Sequence, residues 1–494
     1  MALIRGSRFD DSLAGGRGDD LIFGYAGDDT LSGFGGDDTL RGGRGSDVLN
    51  GGTGDDRLYD YATERSADDG SLALHNILDG GTGDDVLYTH AAVELSVAPH
   101  AIAGTAAIHQ DLSGGAGDDQ LHASIAIGIL DSSSWIPAVE ATVRLDGGDG
   151  NDSLTASANA DVWLFDPEQL DFSFNLDGGR GDDSLSLTVT GGAIEKVDAV
   201  LDGDDGNDVI RALIQPDELT ASVVSATVNG GAGDDDIVLR LDPHAGMDFT
   251  ASRLVADAGS GDDRVTLFAS AAGIDVTLDG GDGNDAVALH EDASEGGSNG
   301  FGSARNNIAG GDGDDGVLID VRGIYDLDVS VSGGAGNDVI HLVATGQSDS
   351  ASHYTSALHG NDGDDILSFS VAGTGSDITF SSRLDGGAGN DTLAGSALAD
   401  TLVGGIGADQ MTGGGGNDVF VLGRDSGAGA DVVTDFTTGA DHFDLGAFSL
   451  DLAGVQALLA ASSGNTLALS TLGGRDVVLA GLDVHDLSAS DFIL

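Results

Sequence analysis

Residues 11–60 read DSLAGGRGDDLIFGYAGDDTLSGFGGDDTLRGGRGSDVLNGGTGDDRLYD, and the pattern of this stretch repeats every nine residues. Each repeat has a glycine-rich segment that ends in aspartate, and an apolar residue follows two positions later, which gives the consensus Gly-Gly-x-Gly-x-Asp-x-apolar-x. The clearest copies are GGRGDD at 15–20 and GGTGDD at 51–56. The aspartates that end these repeats are Asp11, Asp20, Asp29, Asp38, Asp47 and Asp56. A short, fixed period indicates a solenoid of stacked units.

The same period returns near the C-terminus, with aspartates at Asp391, Asp400, Asp409 and Asp418. Between residues 61 and 385 the six-residue glycine turn recurs alone, and successive copies are 22 to 34 residues apart. The aspartates that end these isolated turns are Asp85, Asp119, Asp152, Asp183, Asp208, Asp235, Asp263, Asp285, Asp315, Asp338 and Asp365. We therefore predict an N-terminal nonapeptide region at 1–60, a region of long repeats at 61–385, a second nonapeptide region at 386–420 and a distinct C-terminal region at 421–494.

Alternating apolar residues flank the isolated turns. Phe172, Phe174 and Leu176 precede one turn, and Leu185 and Leu187 follow it. A period of two is typical of strands with one buried face. We predict that each long repeat is one rung of an all-β solenoid, in which a strand enters the glycine turn, a second strand leaves it and a variable loop closes the far side. The nonapeptide regions would form shorter rungs with a glycine turn on both sides.

The composition of the turn points to a hard cation. Glycine accepts positive φ, so a glycine-rich turn can curl and direct its carbonyl oxygens inward, while the aspartate adds an anionic oxygen. Carbonyl and carboxylate oxygens together favour Ca²⁺ over zinc or copper. Stacked strands lie about 4.8 Å apart, so neighbouring turns can share an ion. The sequence predicts several calcium ions, roughly one at each interface between rungs.

The net charge of the chain argues against some classes of binding partner. The 84 acidic and 19 basic side chains give a formal net charge of −65, while 40% of the residues are hydrophobic and can build a core. Such a negative field repels phosphates and anionic headgroups, so neither nucleic acid binding nor membrane insertion is expected. The sequence contains no cysteine, which excludes disulfides, thiolate catalysis and cysteine-based zinc sites.

These repeats resemble the RTX (repeats-in-toxin) calcium-binding proteins. The resemblance implies a right-handed parallel β-roll, or β-solenoid, in which the aspartates named above bind calcium together with backbone carbonyls. The implied carbonyl ligands are those of Gly16, Gly18, Gly52, Gly54, Gly387, Gly389, Gly405, Gly407, Gly414 and Gly416. The turns at 6–11, 258–263 and 395–400 depart from the consensus, so we expect weaker sites there.

The segment 419–448 is similar to the one that follows the repeats in serralysin-type secreted proteases. This resemblance implies a capping region and an uncleaved C-terminal signal for the type I secretion machinery of a Gram-negative bacterium, with Asp491, Phe492, Ile493 and Leu494 as its end. The first residues contain no apolar run of signal-peptide length, which agrees with that route. Within the C-terminal region, residues 450–461 have helical spacing and predict a helix that packs on the last rungs.

No motif amounts to an active site. GGSNG at 296–300 formally matches a nucleophile elbow but lies in a loop-like sequence, and Asp242-Pro243-His244 lacks the rest of an epimerase signature. The serralysin zinc motif His-Glu-x-x-His is absent, and histidines such as His341, His353 and His359 lack metal-ligand spacing and are expected to face solvent. Trp135 and Trp163 are assigned to the core or to loops. We expect that the chain is not an enzyme.

The sequence favours a secreted or cell-surface calcium-binding structural protein that folds on binding calcium. The C-terminal region would cap one end of the solenoid, whereas the first turn begins at Gly6, so the N-terminal edge is expected to pair with another molecule in a homo-oligomer, filament or surface layer. An adhesin or carbohydrate-binding protein, with cell-surface glycan bound by the variable loops, is the second interpretation. A polysaccharide-modifying enzyme is the third.

Overall fold

The computed structural model describes residues 1–66, 71–95, 105–129, 138–161, 170–192, 194–216, 223–242, 252–270, 274–293, 303–324, 326–346, 352–372, 378–424 and 429–494. The chain divides into two compact units. The first unit contains Met1–Gly259 and Phe268–Ile274, and the second contains Ser260–Leu267, Asp275–Ser294 and Gly300–Leu494.

Nearly all regular structure is strand. The strands are β1 (Leu3–Arg5), β2 (Ser12–Ala14), β3 (Leu21–Ala26), β4 (Thr30–Gly35), β5 (Thr39–Arg44), β6 (Val48–Thr53), β7 (Arg57–Arg65), β8 (Leu72–Thr82), β9 (Val86–Leu95), β10 (Thr105–Ala116), β11 (Gln120–Ile129), β12 (Ala138–Asp149), β13 (Ser153–Asp161), β14 (Leu170–Arg180), β15 (Ser184–Gly191), β16 (Lys196–Asp205), β17 (Val209–Pro216), β18 (Val223–Ala232), β19 (Asp236–Leu241), β20 (Ser252–Ser260), β21 (Arg264–Ala269), β22 (Ile274–Asp282), β23 (Ala286–Asp292), β24 (Ser303–Asp312), β25 (Gly316–Arg322), β26 (Asp326–Ala335), β27 (Val339–Thr345), β28 (Ser352–Asp362), β29 (Ile366–Ala372), β30 (Ile378–Ala388), β31 (Thr392–Ala394), β32 (Asp400–Ile406), β33 (Gln410–Thr412), β34 (Val419–Val421), β35 (Asp431–Val433), β36 (His442–Asp444), β37 (Thr466–Leu467), β38 (Val477–Leu479) and β39 (Phe492–Ile493).

The first unit is a parallel β-solenoid. Each strand pairs in parallel with the strand two places further along the chain, so that β7, β9, β11, β13 and β15 follow one another in one sheet. The even-numbered strands from β8 to β18 form the opposite sheet in the same way. Two consecutive strands and the turn between them therefore make one rung, as the alternating sequence pattern predicted.

The second unit repeats this arrangement. Its odd-numbered strands from β23 to β35 pair in parallel, as do the even-numbered strands from β22 to β36. The expected all-β, parallel β-roll or solenoid fold is thus confirmed in both units. In the part of the chain that the structure describes, no helix is long and apolar enough to cross a membrane.

The apolar residue two positions after each turn aspartate builds the core. In the first unit these side chains form a buried column along one sheet, from Ile22, Leu40 and Leu58 to Ile210 and Ile237, all fully buried. Parallel pairing without register shift places equivalent residues above one another, so the nonapeptide consensus directly produces this column. Each Å² of apolar surface that this stacking buries contributes about 25 cal/mol of stabilising free energy.

The C-terminal region has a different structure. The helix α1 (Leu452–Ala461) begins after Asp451, whose side chain accepts the N–H of Gly454, and it buries Val455 and Leu458. Short 3-10 helices lie at Gly446–Phe448, Leu469–Leu472, Val484–Asp486 and Ala489–Asp491. The predicted helix at 450–461 is confirmed, with its start two residues later because Asp451 is the N-cap.

Candidate metal centre

The glycine turns pack the α-carbon of one rung closely against a backbone carbonyl oxygen of the neighbouring rung. Gly54 and Gly83 occupy the fourth position of stacked turns, with φ of 118° and 123°. A methyl group on Gly83 would lie 2.2 Å from the carbonyl oxygen of Gly54, so only glycine fits. Among the glycines proposed as carbonyl ligands, those with positive φ are Gly52, Gly54, Gly387, Gly389, Gly405, Gly407, Gly414 and Gly416. Gly16 and Gly18, in an early turn, do not adopt it.

The turn aspartates form stacked columns, which we call ladders. The backbone N–H of Asp85 donates to Oδ1 of Asp119 at 2.7 Å, and the N–H of Asp119 donates to Oδ1 of Asp152 at 2.7 Å. This first ladder contains, in the first unit, Asp20, Asp38, Asp56, Asp85, Asp119, Asp152, Asp183, Asp208 and Asp235. Its counterpart in the second unit contains Asp263, Asp285, Asp315, Asp338, Asp365, Asp391 and Asp409.

Among the described residues, a second ladder occurs only where the rungs are short. In the first unit it contains Asp11, Asp29 and Asp47, because the rungs there turn at both ends. In the second unit it contains Asp400 and Asp418, and the N–H of Asp418 continues the pattern by donating to Asp441. The structure therefore brings the predicted aspartates together in ladders, and the long rungs keep one ladder only.

One oxygen of most ladder aspartates is buried and receives no hydrogen bond from the protein. The residues with such an Oδ2 are Asp29, Asp38, Asp47, Asp56, Asp85, Asp119, Asp152, Asp183, Asp208, Asp285, Asp315, Asp338, Asp365 and Asp391. A methyl group on Gly80 would lie 2.4 Å from Asp85 Oδ2 and 2.7 Å from the carbonyl oxygen of Gly114 in the next rung. Two oxygen acceptors thus face the same space without a donor, an arrangement that a cation satisfies.

Burial and neighbouring charge strongly disfavour the ionised state of these groups. Burial, followed by the charges of Asp152 and Asp85, raises the pKa of Asp119 to about 7. The pKa of Asp183 is also raised to about 7, with burial again the largest cause. Protonation or a bound cation therefore stabilises the stacked carboxylates.

In three turns the aspartate is satisfied locally. Oδ2 of Asp11 accepts the N–H of Ser7, Oδ2 of Asp20 accepts the N–H of Gly16 at 2.8 Å, and Oδ2 of Asp400 accepts both the N–H and the hydroxyl of Ser396. Two of these turns are the degenerate ones at 6–11 and 395–400. Their weaker affinity stays a prediction, and the local hydrogen bonds give it a physical reason.

Sequence reasoning missed a second row of side chains at the fifth position of the turn. The N–H of Asn337 donates to Oδ1 of Asp314 at 2.7 Å, and Oδ1 of Asn337 accepts the N–H of Asp364. These bonds run opposite to those of the ladder aspartates, so two antiparallel hydrogen bonds clamp each rung interface. The signal was present, because aspartate or asparagine precedes the ladder aspartate in nearly every turn.

Among the described residues, the other candidate residues do not form a catalytic cluster. The carboxylate of Asp242 contacts Arg240 at 3.0 Å and accepts a hydrogen bond from Ser270. His341 is half-buried and shares a hydrogen bond with Ser368 rather than facing solvent freely. Pro243, His244, GGSNG at 296–300, Trp135 and Trp163 lie outside the described residues.

The donor set fits calcium. Carboxylate and carbonyl oxygens line the turns, and within the described ranges no group of three or more histidine, cysteine, aspartate or glutamate side chains forms a metal cluster. An ion at a turn would therefore combine one or two ladder carboxylates with backbone carbonyls. Oxygen-only, partly backbone coordination is what Ca²⁺ accepts in flexible geometry.

The fold and its turns define a β-solenoid of the calcium-binding class. The family model for the RTX calcium-binding nonapeptide repeat (4 copies) matches nine segments, at residues 5–33, 32–59, 73–92, 111–125, 144–162, 200–219, 328–342, 385–420 and 395–433. The chain therefore carries RTX calcium-binding nonapeptide repeats along its length, and these matches support the RTX family. No curated protein matches the chain as a relative.

Proposed function

We propose that this chain is a secreted structural protein, without catalytic activity, that folds outside the cell when its turns bind calcium. The observation that carries the proposal is the row of buried Oδ2 atoms that lack a donor. Bound calcium supplies positive charge and oxygen coordination between neighbouring rungs. Without cations the stacked carboxylates repel one another across a few ångströms in a chain of net charge −65. Binding and folding are then inseparable, because the sites exist only when the rungs are stacked.

Far-ultraviolet circular dichroism tests this proposal directly. We expect little β signal in the calcium-free protein at pH 7.5 and a cooperative gain of β structure on adding millimolar calcium. Magnesium at the same concentration and ionic strength is the control, because it screens charge equally but demands a smaller octahedral site. Equal β content with calcium, with magnesium and with chelator would refute calcium-dependent folding.

The C-terminus supports export before folding. The last strand, β39, pairs with β36, and Asp491 and Phe492 are 1% and 7% exposed. In the folded protein Asp491 and Phe492 would be inaccessible to a receptor, whereas Ile493 and Leu494 are 41% and 52% exposed. A secretion signal that includes Asp491 and Phe492 would therefore be read in full by the type I machinery of a Gram-negative cell only in an unfolded chain. Low cytosolic calcium would keep the chain in that state.

Self-assembly through the N-terminal edge is part of the proposal. β1 pairs with β3 and β2 with β4, and among the described residues no strand covers their other side. Leu3 and Phe9 at this edge are 55% and 64% exposed. An open strand edge with apolar side chains is a template for pairing with a second chain.

Sedimentation of the calcium-loaded protein should show association that Leu3→Arg abolishes. The control Leu452→Arg, at a site 54% exposed on α1, should leave this association intact. A wild-type protein that is monomeric at all concentrations would contradict this part.

Glycan binding is a second candidate, favoured by an aromatic row on the outer face of the first unit. The rings of Tyr61 and Tyr88 stack at 5.1 Å, those of Tyr88 and His122 at 4.7 Å, and Tyr61 is 50% exposed. Aromatic rings at a protein surface combine apolar area with polar edges, which suits sugar rings. Retention of the wild type, but not of Tyr61→Ser, on a polysaccharide column would support this candidate.

A further inference from the structure

At the end of the second ladder in the first unit, the stacked side chains change in type from one rung to the next. Asp29 stacks on Asp47, and the N–H of Asp47 donates to Oδ1 of Asn76 at 3.3 Å. In register beyond Asn76 lie Gln110 and then Val143. The column thus changes from carboxylate to amide to apolar side chain as the rungs lengthen. The last carboxylate of the column, Asp47, is where the second ladder stops.

The facing column changes at the same rung. Gly24 and Gly42 are first-position glycines of the turns that end in Asp29 and Asp47, and a methyl group on Gly42 would lie 2.4 Å from Asp47 Oδ2. The pairing of Arg41 with Tyr59 places Asp60 next in line, beside Gly42. An aspartate therefore stands where the next glycine of the repeat would be. Asp60 lies outside the glycine-aspartate consensus.

Asp60 is buried beside this site and has one unpaired carboxylate oxygen. Asp60 is 0% exposed, its Oδ1 accepts the N–H of Gly43 at 3.1 Å, and its Oδ2 receives no hydrogen bond. Asp47 is equally buried, its Oδ1 accepts the N–H of Asp29 at 2.9 Å, and its Oδ2 is also unpaired. Asp47 Oδ2 lies against Gly42, and the strand register places Asp60 beside Gly42, so the two carboxyl groups are neighbours. Two adjacent buried carboxylates are stable only with a proton or a cation between them.

A third oxygen lies in register with Asp60. Thr89 pairs with Asp60 in the neighbouring strand, is 0% exposed, and its hydroxyl Oγ1 has no partner. The site therefore offers two anionic oxygens and one neutral oxygen, from one turn and two strands. Two negative charges and oxygen-only donors match a hard divalent cation better than a monovalent one.

We propose that Asp60 and Asp47 form a terminal calcium site that closes the second ladder where the short rungs give way to long ones. The inference rests on the proposed function, because it assumes that calcium also fills the regular turns. Asp60 replaces the turn that the next rung lacks, by supplying a carboxylate from within a strand. Thr89 adds its hydroxyl oxygen.

Two measurements on the full-length protein test this site. Anomalous diffraction from crystals of the wild type grown with calcium should show a peak between the Asp47 and Asp60 carboxylates. Native mass spectrometry at saturating calcium should find one calcium ion fewer on Asp60→Asn than on the wild type. Asp275→Asn, the same chemical change at an exposed strand position, is the matched control and should keep the wild-type number.

The outcomes separate the possible failures. A shared proton between Asp47 and Asp60 would leave no anomalous peak and an unchanged ion number in Asp60→Asn, which would overturn this inference while the regular turns remain occupied. An absence of calcium from every turn would instead refute the proposed function. If Asp60→Asn does not fold, the anomalous peak in the wild type alone decides the question.

Discussion

The short rungs at residues 1–60 and the long rungs that follow differ in how their stacking is stabilised. β4 has six residues and buries the apolar side chain of Leu31, whereas β12 has twelve and buries Val139, Ala141, Val143 and Leu145. The short rungs have an aspartate ladder on both sides, and the long rungs have one. Apolar burial therefore increases as the number of ladders falls. One ladder fixes the register of the rungs, and the core contributes what the second ladder supplied.

This comparison predicts different calcium requirements, and the expected effect is the largest that we propose. Short rungs bury little apolar area, so their order should depend almost entirely on bound ions, while long rungs keep part of their stability from the core. Hydrogen exchange followed by mass spectrometry through a calcium titration should show peptides from 1–45 gaining protection at higher calcium than peptides from 138–161. Simultaneous protection of both segments would mean that one cooperative transition hides the difference.

Acidification should replace part of the calcium requirement in both regions. Burial raises the pKa of Asp56, in the short rungs, to about 7, and that of Asp119, in the long rungs, to about 7, from an ordinary value of 3.8. An acid whose pKa is raised on folding contributes stability that is fully present below the unfolded value and is lost as the pH rises through the folded value. The calcium-free protein should therefore gain β structure between pH 8 and pH 4.5, measured by circular dichroism. A calcium-free protein that loses structure over this range would contradict the buried state of the ladders.

A single methyl group should separate a glycine inside the stack of turns from its equivalent in the first turn of the first ladder. Gly83 has φ of 123° and faces the carbonyl of Gly54, whereas Gly18, in the first turn, has open space around its α-carbon. Left-handed backbone costs alanine about 1–2 kcal/mol, and the overlap with Gly54 adds to that cost. In saturating calcium, Gly83→Ala should lower the free energy of unfolding by at least about 2 kcal/mol. Gly18→Ala is the control and should change it by less than about 0.5 kcal/mol. Equal losses would mean that the turns stack differently.

Much of this molecule was predictable because its repeat encodes its register. The spacing of Asp20, Asp38 and Asp56 fixed the rungs, and the apolar residue two positions after each aspartate fixed the core column. The side chains that close the second ladder were not predictable. Asp60 and Asn76 match no repeat position, and only the pairing of strands from different rungs brings them near Asp47. Where the repeat length changes, the contacts depend on which strands pair, and such contacts leave no local pattern in the sequence.

Mutation of the side chains at the fifth turn position should have the smallest effect of those predicted here. It tests whether a ladder needs a second hydrogen bond at each rung interface. Asn337 joins Asp314 on one side and Asp364 on the other, and all three side chains are exposed. Exposed hydrogen bonds contribute about 0.5–1.5 kcal/mol net, so Asn337→Ala should lower the free energy of unfolding in saturating calcium by about 1 kcal/mol.

Asn337→Asp is the matched variant, because it keeps the oxygen that accepts the N–H of Asp364 and loses the Nδ2 donor to Asp314. At high salt, where the added charge is screened, Asn337→Asp should keep more of the wild-type stability than Asn337→Ala does. Thermal unfolding in saturating calcium at low and high ionic strength measures both variants. If alanine and wild type unfold at the same temperature, the antiparallel clamp adds nothing, and the calcium ladder alone holds the long rungs in register.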